Sequence, residues 1–338
     1  MTEAIAAPVT DLLPVARMRL TARAEAPLLL PAYAGSMLRG AFGHALLALS
    51  PLPHEDGKPC RLQATCPYCQ LFATPPLPGH GLQKFSHMPQ PYVIEPPEGM
   101  ARQLRAGQSF SFRLVLVGKA LDLLPIVRQA WQSALSTGLG TGLASCTLVE
   151  FRNENSPQRP PDKESLLSNQ EQKEVGTPNT QQARLHFHTP LRLQVQGRPV
   201  RDARQLTARD LLIALARRHQ LLCDVHLGPR APQHNFADLS AQAQGIALQA
   251  GQMRWFDWGR YSQRQQQEMK LGGLLGSLTL RGNLAPFADL LYLGQWLHVG
   301  KNASFGLGGY TLDTAPTEPT HAPAAPPPHR PGSPAHRN

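Results

Sequence analysis

Aromatic residues make up only 6% of this 338-residue chain, and charged residues only 17%. Within that small charged set acids are the scarcer sign: 23 Asp and Glu stand against 33 Lys and Arg, a formal charge of +10. No run approaches the roughly eighteen apolar residues a membrane span requires. The opening segment, Met1 to Asp11, carries acids and lacks the apolar core of a secretory signal. Cysteine is sparse as well. There are five, an odd number, and three fall between Cys60 and Cys69, unlike an exported disulfide scaffold. These absences predict a cytoplasmic protein without a membrane partner, and the deficit of acids favours an anionic partner such as nucleic acid.

What is present is enough for two folded units: 41% of residues are hydrophobic, and about 150 residues per domain gives two cores. Two segments stand outside them. From Ala315 to Asn338 eight of 24 residues are proline, which reads as a disordered tail (314–338). Between Asn153 and Gln182 the sizeable apolar residues are Leu166, Leu167 and Val175, so 153–183 reads as a linker or exposed loop.

The C-terminal unit, 184–313, opens with a strand from Leu185 to Val195. Thr207 with Asp210 three residues later is a capping box ahead of the apolar run Leu211 to Leu215. Strands follow at Arg254 to Trp258 and Leu275 to Leu280, then a helix over Pro286 to Leu297 and a last strand, Gly309 to Leu312. That order, β-α-β-β-α-β, is the ferredoxin-like unit. The N-terminal unit, 12–152, repeats it: strand Val15 to Leu20, helix Ser36 to Leu49, strands Tyr92 to Ile94 and Phe110 to Val117, helix Leu121 to Leu135, strand Thr147 to Phe151. An insertion of about 51–90 carries three of the five cysteines. Pro125, Trp131, a glycine turn and Thr147-Leu148 recur as Pro286, Trp296, a glycine turn and Thr311-Leu312. The expected fold class is α+β, two tandem ferredoxin-like (RRM-like) domains.

Four clusters carry possible chemistry. The turn from His298 to Gly309 places Gly300, Gly306 and Gly308 around Lys301 and Asn302. Glycines permit positive φ and a close backbone approach, so the turn is either a tight helix-to-strand connection or a cradle for phosphate. Arg254 to Gln265 interleaves Trp255, Trp258 and Tyr261 with Arg260 and Arg264, and Lys270 follows; such a strand can stack bases and hold phosphates, or bury a tryptophan in the core. Cys60-x5-Cys66-Pro67-Tyr68-Cys69 has the C-x2-C spacing of part of a zinc site, structural sooner than catalytic, with His54, His80 or His87 as the fourth ligand. Cys146 and Cys223 read as packing residues. Finally, the first helix carries Arg39 and His44, with Tyr33 before them and His54 and Lys58 after. An imidazole beside a cation or phenol suits general acid–base cleavage of RNA.

These residues resemble a known family. Leu38-Arg39-Gly40-Ala41-Phe42-Gly43, the segment Cys66 to Pro76, Phe187-His188-Thr189-Pro190-Leu191-Arg192, Arg260-Tyr261-Ser262-x-Arg264-Gln265, Gly272-Gly273-Leu274-Leu275-Gly276 and the glycine turn are together similar to CRISPR-associated endoribonucleases of the RAMP superfamily, which process precursor crRNA. The resemblance runs from about residue 14 to 313. It implies tandem ferredoxin-like domains, recognition of CRISPR repeat RNA, effector-complex subunits as partners, and cleavage without a catalytic cofactor. In that chemistry a ribose 2′-OH attacks the adjacent phosphate, leaving a 2′,3′-cyclic phosphate and a 5′-OH. His44, Tyr33 and Lys58, with His54 as the competing histidine, would supply the base, acid and cation; the RNA contacts would include Arg39, Trp255, Arg260, Arg264, Lys270 and the turn residues. The alternative is a RAMP subunit that holds RNA without cutting it. Two departures stand out: the first glycine of the family's turn is replaced here by His298, and the helical tyrosine of some members aligns with Gly43.

Overall fold

The computed structural model describes residues 13–52, 54, 60–63, 65–76, 88–97, 99, 101–155, 181–262 and 267–313. The expected tail, the interior of the expected linker, and Lys58, His80, His87 and Arg264 lie outside the described residues.

The first half contains β1 (Val15–Ala24), β2 (Leu28–Leu30), α1 (Gly35–Ala48), the one-turn α2 (Pro67–Leu71), β3 (Tyr92–Glu95), β4 (Arg102–Leu104), β5 (Ser109–Val117), α3 (Leu124–Thr137) and β6 (Cys146–Asn155). Its four long strands form a sheet in the order β3-β5-β1-β6, all antiparallel neighbours, while β2 pairs separately with β4. Strand alternation in β1 explains the layering. Met18, Leu20, Ala22 and Ala24 point into a core shared with Phe42 of α1 and Trp131 of α3, whose rings stack at 4.9 Å. Arg17, Arg19 and Arg23 occupy the opposite face and pair with Glu95, Glu154 and Glu25.

The second half repeats the plan with β7 (Gln182–Leu191), a small hairpin β8 (Gln194–Val195) and β9 (Arg198–Pro199), α4 (Ala208–Leu227), α5 (Phe236–Gln244), β10 (Ala247–Ala250), β11 (Arg254–Ser262), β12 (Gln267–Arg281), α6 (Ala288–Leu297) and β13 (Tyr310–Asp313). The sheet order is β10-β12-β7-β13, with β11 also paired to β12. The Thr207–Asp210 capping box starts α4 as expected, each residue bonding the other's backbone N–H. With β11 set aside, both sheets run second-third-first-fourth; the strand expected over Arg254 to Trp258 is β11, and the second position is filled instead by β10. The molecule is a tandem ferredoxin-like α+β fold.

The two units share a seam. Val15, Val93, Val115 and Val117, on the first sheet's outer face, pack against Leu222 and Cys223 of α4 and Leu293 and Leu297 of α6. The segment leaving α6 is thereby delivered to the end of β3 and the start of α1.

Candidate nucleic-acid interface

The glycine-rich turn is the junction between the halves. Gly300, Gly306 and Gly308 have φ of 92, 93 and 71°, and Asn302 joins them in the left-handed region at 64°. A Cβ on Gly306 would lie 2.4 Å from the Ile94 carbonyl oxygen of β3, and one on Gly308 would lie 1.8 Å from the Val299 carbonyl oxygen. Lys301 N–H donates to the Arg192 carbonyl at 2.8 Å, tying the turn to the end of β7. The glycines therefore serve close packing of the turn onto both halves, the first of the two readings left open by the sequence.

On the other side of the junction stands α1. Tyr33 donates its hydroxyl to the Phe305 carbonyl, and the start of α1 lies so close that a Cβ on Gly35 would collide with the same oxygen. Burial holds the Tyr33 phenol well above its ordinary range. Expected as a catalytic phenol, Tyr33 instead directs its hydroxyl into the junction. Arg39, one turn along, lies with its guanidinium carbon 4.1 Å from the Phe72 ring centroid and 4.5 Å from that of Phe305. Such a sandwich orients an arginine through the ring quadrupoles.

His44 is exposed on α1. Its row on the helix runs Ser36, Gly40, His44, and a Cβ on Gly40 would meet nothing within 4 Å, so this strip is open. From Arg39 to His44 the helix rises about 7.5 Å.

The other histidines point elsewhere. His298 is fully buried, with Nδ1 3.1 Å from the Leu307 carbonyl oxygen and Nε2 3.6 Å from a Glu95 carboxylate oxygen. An RNA contact was expected there; the ring faces the interior because the turn folds over it. Burial raises the Glu95 carboxyl, but His298 and Arg17 outweigh that and hold it below its ordinary value. His54 places Nε2 3.3 Å from Cys66 Sγ, and the ligand atoms of His54, Cys60, Cys66 and Cys69 all lie within 4.8 Å of one another. Burial pushes the Cys69 thiol up, and the neighbouring Cys66 adds to it; Cys66 is held down by hydrogen bonds from the Cys69 backbone, Ser50 and His54 against its own burial. His54, His44 and the turn thus occupy three different surroundings.

Trp255 is half-buried against the second core, with the Arg201 guanidinium carbon 5.1 Å from its ring. Arg260 and Lys270 lie on the paired strands β11 and β12, Arg260 opposite Met269 and Lys270 opposite Gly259. Sequence reasoning missed Phe72, Phe305, Glu95 and Arg17. Phe72 lies within the quoted cysteine segment, but its contact with Arg39 depends on a fold that the segment does not encode by itself.

Residues 185–310 match the family described as CRISPR-associated endoribonuclease Cas6, and residues 13–180 match a family described as an N-terminal domain. Among solved structures, the chain is similar to a Cas6 product complex (TTHB231, of Thermus thermophilus) at 18% identity and TM-score 0.53, covering 88% of this chain and 99% of that one. It is also similar to a partial Cas6-RT-Cas1–Cas2 complex and to the Cas6-RT-Cas1–Cas2 complex, each at 15% identity, TM-score 0.51 and 91% of this chain. This chain spans 47% and 30% of those two longer chains. No curated protein matches it. These findings establish the fold and place a domain similar to CRISPR-associated endoribonucleases at residues 185–310. The Cas6 match falls within the C-terminal half of the chain, over residues 185–310. Among the described residues no helix is long and apolar enough to cross a membrane.

Proposed function

We propose that this chain cuts CRISPR repeat RNA within precursor crRNA, using the strand's own 2′-OH and no metal at the scissile phosphate. In-line attack needs a base for the 2′-OH proton, an acid for the departing 5′ oxygen and a cation for the charge that builds on phosphorus. The observation that carries this reading is on α1: His44 stands exposed on an open strip of the helix whose Arg39 is clamped against the glycine-rich turn of the other half. His44 supplies the proton transfer, Arg39 and Lys58 the positive charge, and Tyr33 positions the turn. Arg260, Arg264, Lys270 and Lys301 hold the phosphate backbone as it leaves the strip, and the domains responsible are 12–152 and 184–313. The thiol cluster takes a structural zinc. Repeat RNA is the principal partner, with effector-complex subunits receiving the product, in the cytoplasm.

A second reading, an RNA-holding subunit that does not cut, is favoured by one observation: His298 and His54 are both engaged inside the protein, leaving His44 as the accessible histidine among those expected to act. Replacement of His44 decides between them. His44→Ala is expected to lower cleavage at least about 100-fold with repeat-RNA affinity nearly unchanged. A 2′-deoxy group beside the scissile phosphate is expected to abolish cutting by the wild type. Undiminished cutting by His44→Ala removes this assignment, and binding without cutting by the wild type establishes the second reading.

A further inference from the structure

The segment between α1 and β3 carries one short helix, α2, among its described residues. Among its described residues Leu71 and Met88 are buried, while Leu52 and Leu62 stand 39% and 38% exposed. Small insertions are often held by disulfides, metals or partners. No disulfide is formed: Cys60, Cys66 and Cys69 are free thiols. What the segment has is a convergence of four donors. Cys66 sits directly before α2 and Cys69 within it, so one turn of helix turns both sulfurs inward. Cys60 reaches them from the preceding stretch, and His54 from just beyond the end of α1.

The dimensions suit one ion. Tetrahedral zinc, with Zn–S of about 2.3 Å and Zn–N of about 2.0 Å, sets its donors roughly 3.5–3.8 Å apart. The His54–Cys66 separation is 3.3 Å, and no pair in the set exceeds 4.8 Å, so closure needs movements of about an ångström. Three thiolates and an imidazole leave no open position, which is the signature of a structural and not a catalytic zinc.

The cluster also leads somewhere. The His54 ring meets Tyr68 edge-on at 4.8 Å, Tyr68 stacks on Phe72 at 5.3 Å, and Phe72 carries the Arg39 guanidinium on its face. Phe72 is pressed onto α1 at Gly43, where a Cβ would lie 2.5 Å from its ring. Arg39 then reaches Phe305 in the glycine-rich turn.

We propose that His54 completes a closed zinc site with Cys60, Cys66 and Cys69, and that this ion, through Tyr68 and Phe72, fixes Arg39 under the glycine-rich turn for contact with RNA. The inference rests on the reading of the cluster as a zinc site and of Arg39 as an RNA contact. His54 is accordingly a positioning residue and takes no part in proton transfer.

The test uses the full chain and separates coordination from RNA chemistry. Elemental analysis is expected to find one zinc per chain in the wild type and in His54→Cys, which keeps four donors, and none in Cys66→Ser/Cys69→Ser. Cobalt in place of zinc is expected to give the intense visible bands of a tetrahedral thiolate site. Affinity for uncleavable 2′-deoxy repeat RNA is expected to fall several-fold when the wild type is stripped by a chelator, to return with zinc but not magnesium, and to be unaffected by stripping in Arg39→Ala. Absence of zinc, its retention in the double serine variant, a Cys66–Cys69 disulfide in the purified protein, or an equal loss on stripping Arg39→Ala overturns the proposal. None of these outcomes bears on whether the wild type cuts RNA, so the two readings fail separately.

Discussion

His298 occupies backbone that only glycine enters without strain, φ 57° and ψ 164°, at the position where the family's turn has a glycine. Its ring is held between the Leu307 carbonyl and Glu95, and Glu95 in turn accepts from Arg17 Nε at 2.8 Å. Strain of about 1–3 kcal/mol is thus balanced by a buried contact that crosses between the halves. Two substitutions separate the terms. His298→Ala loses the contact and keeps the strain, whereas His298→Gly loses the contact and relieves it. Urea unfolding is expected to rank the wild type above Gly and Gly above Ala, with about 1 kcal/mol or more between the last two; Ala equal to or above Gly would contradict this. Much of the residue-level chemistry was legible. The C-x2-C spacing pointed to the thiol cluster, but that His54 converges on it needed three dimensions. The Arg39–Phe305 contact joins residues far apart in the chain, so no local pattern could announce it.

At the scale of elements, patterned segments were readable and weakly patterned ones were not. The Thr207–Asp210 box placed the start of α4, and β1 begins at Val15 as expected but runs on to Ala24. Helix α5 went unseen because Ala243 is its one fully buried residue, so it shows no apolar stripe. β12 was expected to begin at Leu275 and begins at Gln267, its first half being a polar hairpin arm. The face of α4 also carries a histidine consequence. His226 Nδ1 accepts the Lys119 backbone N–H at 3.2 Å, and its ring fills the space over Gly118. Burial, aided by Lys119, lowers its pKa to about 4, and burial beside His234 lowers that of His219 to about 3. Both fall below the unfolded value of about 6.5, so below that pH the unfolded chain binds more protons. Their stabilisation is full above about pH 6.5 and is lost as pH falls toward the folded values. Melting temperature is expected to drop between about pH 7 and pH 5, and less steeply in His219→Leu/His226→Phe. A wild-type melting point flat across that interval would refute the account.

At the scale of the whole molecule, two copies of one topology are joined by an apolar seam, the glycine-rich turn and the His226 contact with Lys119. The valines of the first sheet and the leucines of α4 and α6 bury one another, so the halves are expected to unfold together. Val115→Asp places a charge in that seam and is expected to split a single calorimetric transition into two; one unchanged transition would show that the seam does not couple the halves. The repeated β-α-β-β-α-β order was legible because each half carries its own hydrophobic periodicity. The seam was not, since valines facing a partner domain look like valines facing a core. The excess of basic residues becomes intelligible at this scale as well. Binding that neutralises phosphates weakens steeply with salt, and repeat-RNA affinity is expected to do so.

The central claim is that the joined halves make the RNA break itself. Mass analysis of the fragments formed by the wild-type chain from repeat RNA in EDTA tests it most directly. The account predicts an upstream fragment ending in a 2′,3′-cyclic phosphate and a downstream fragment beginning with a 5′-OH. Fragments with 3′-OH and 5′-phosphate ends, or cutting that appears only when magnesium is supplied, would contradict it.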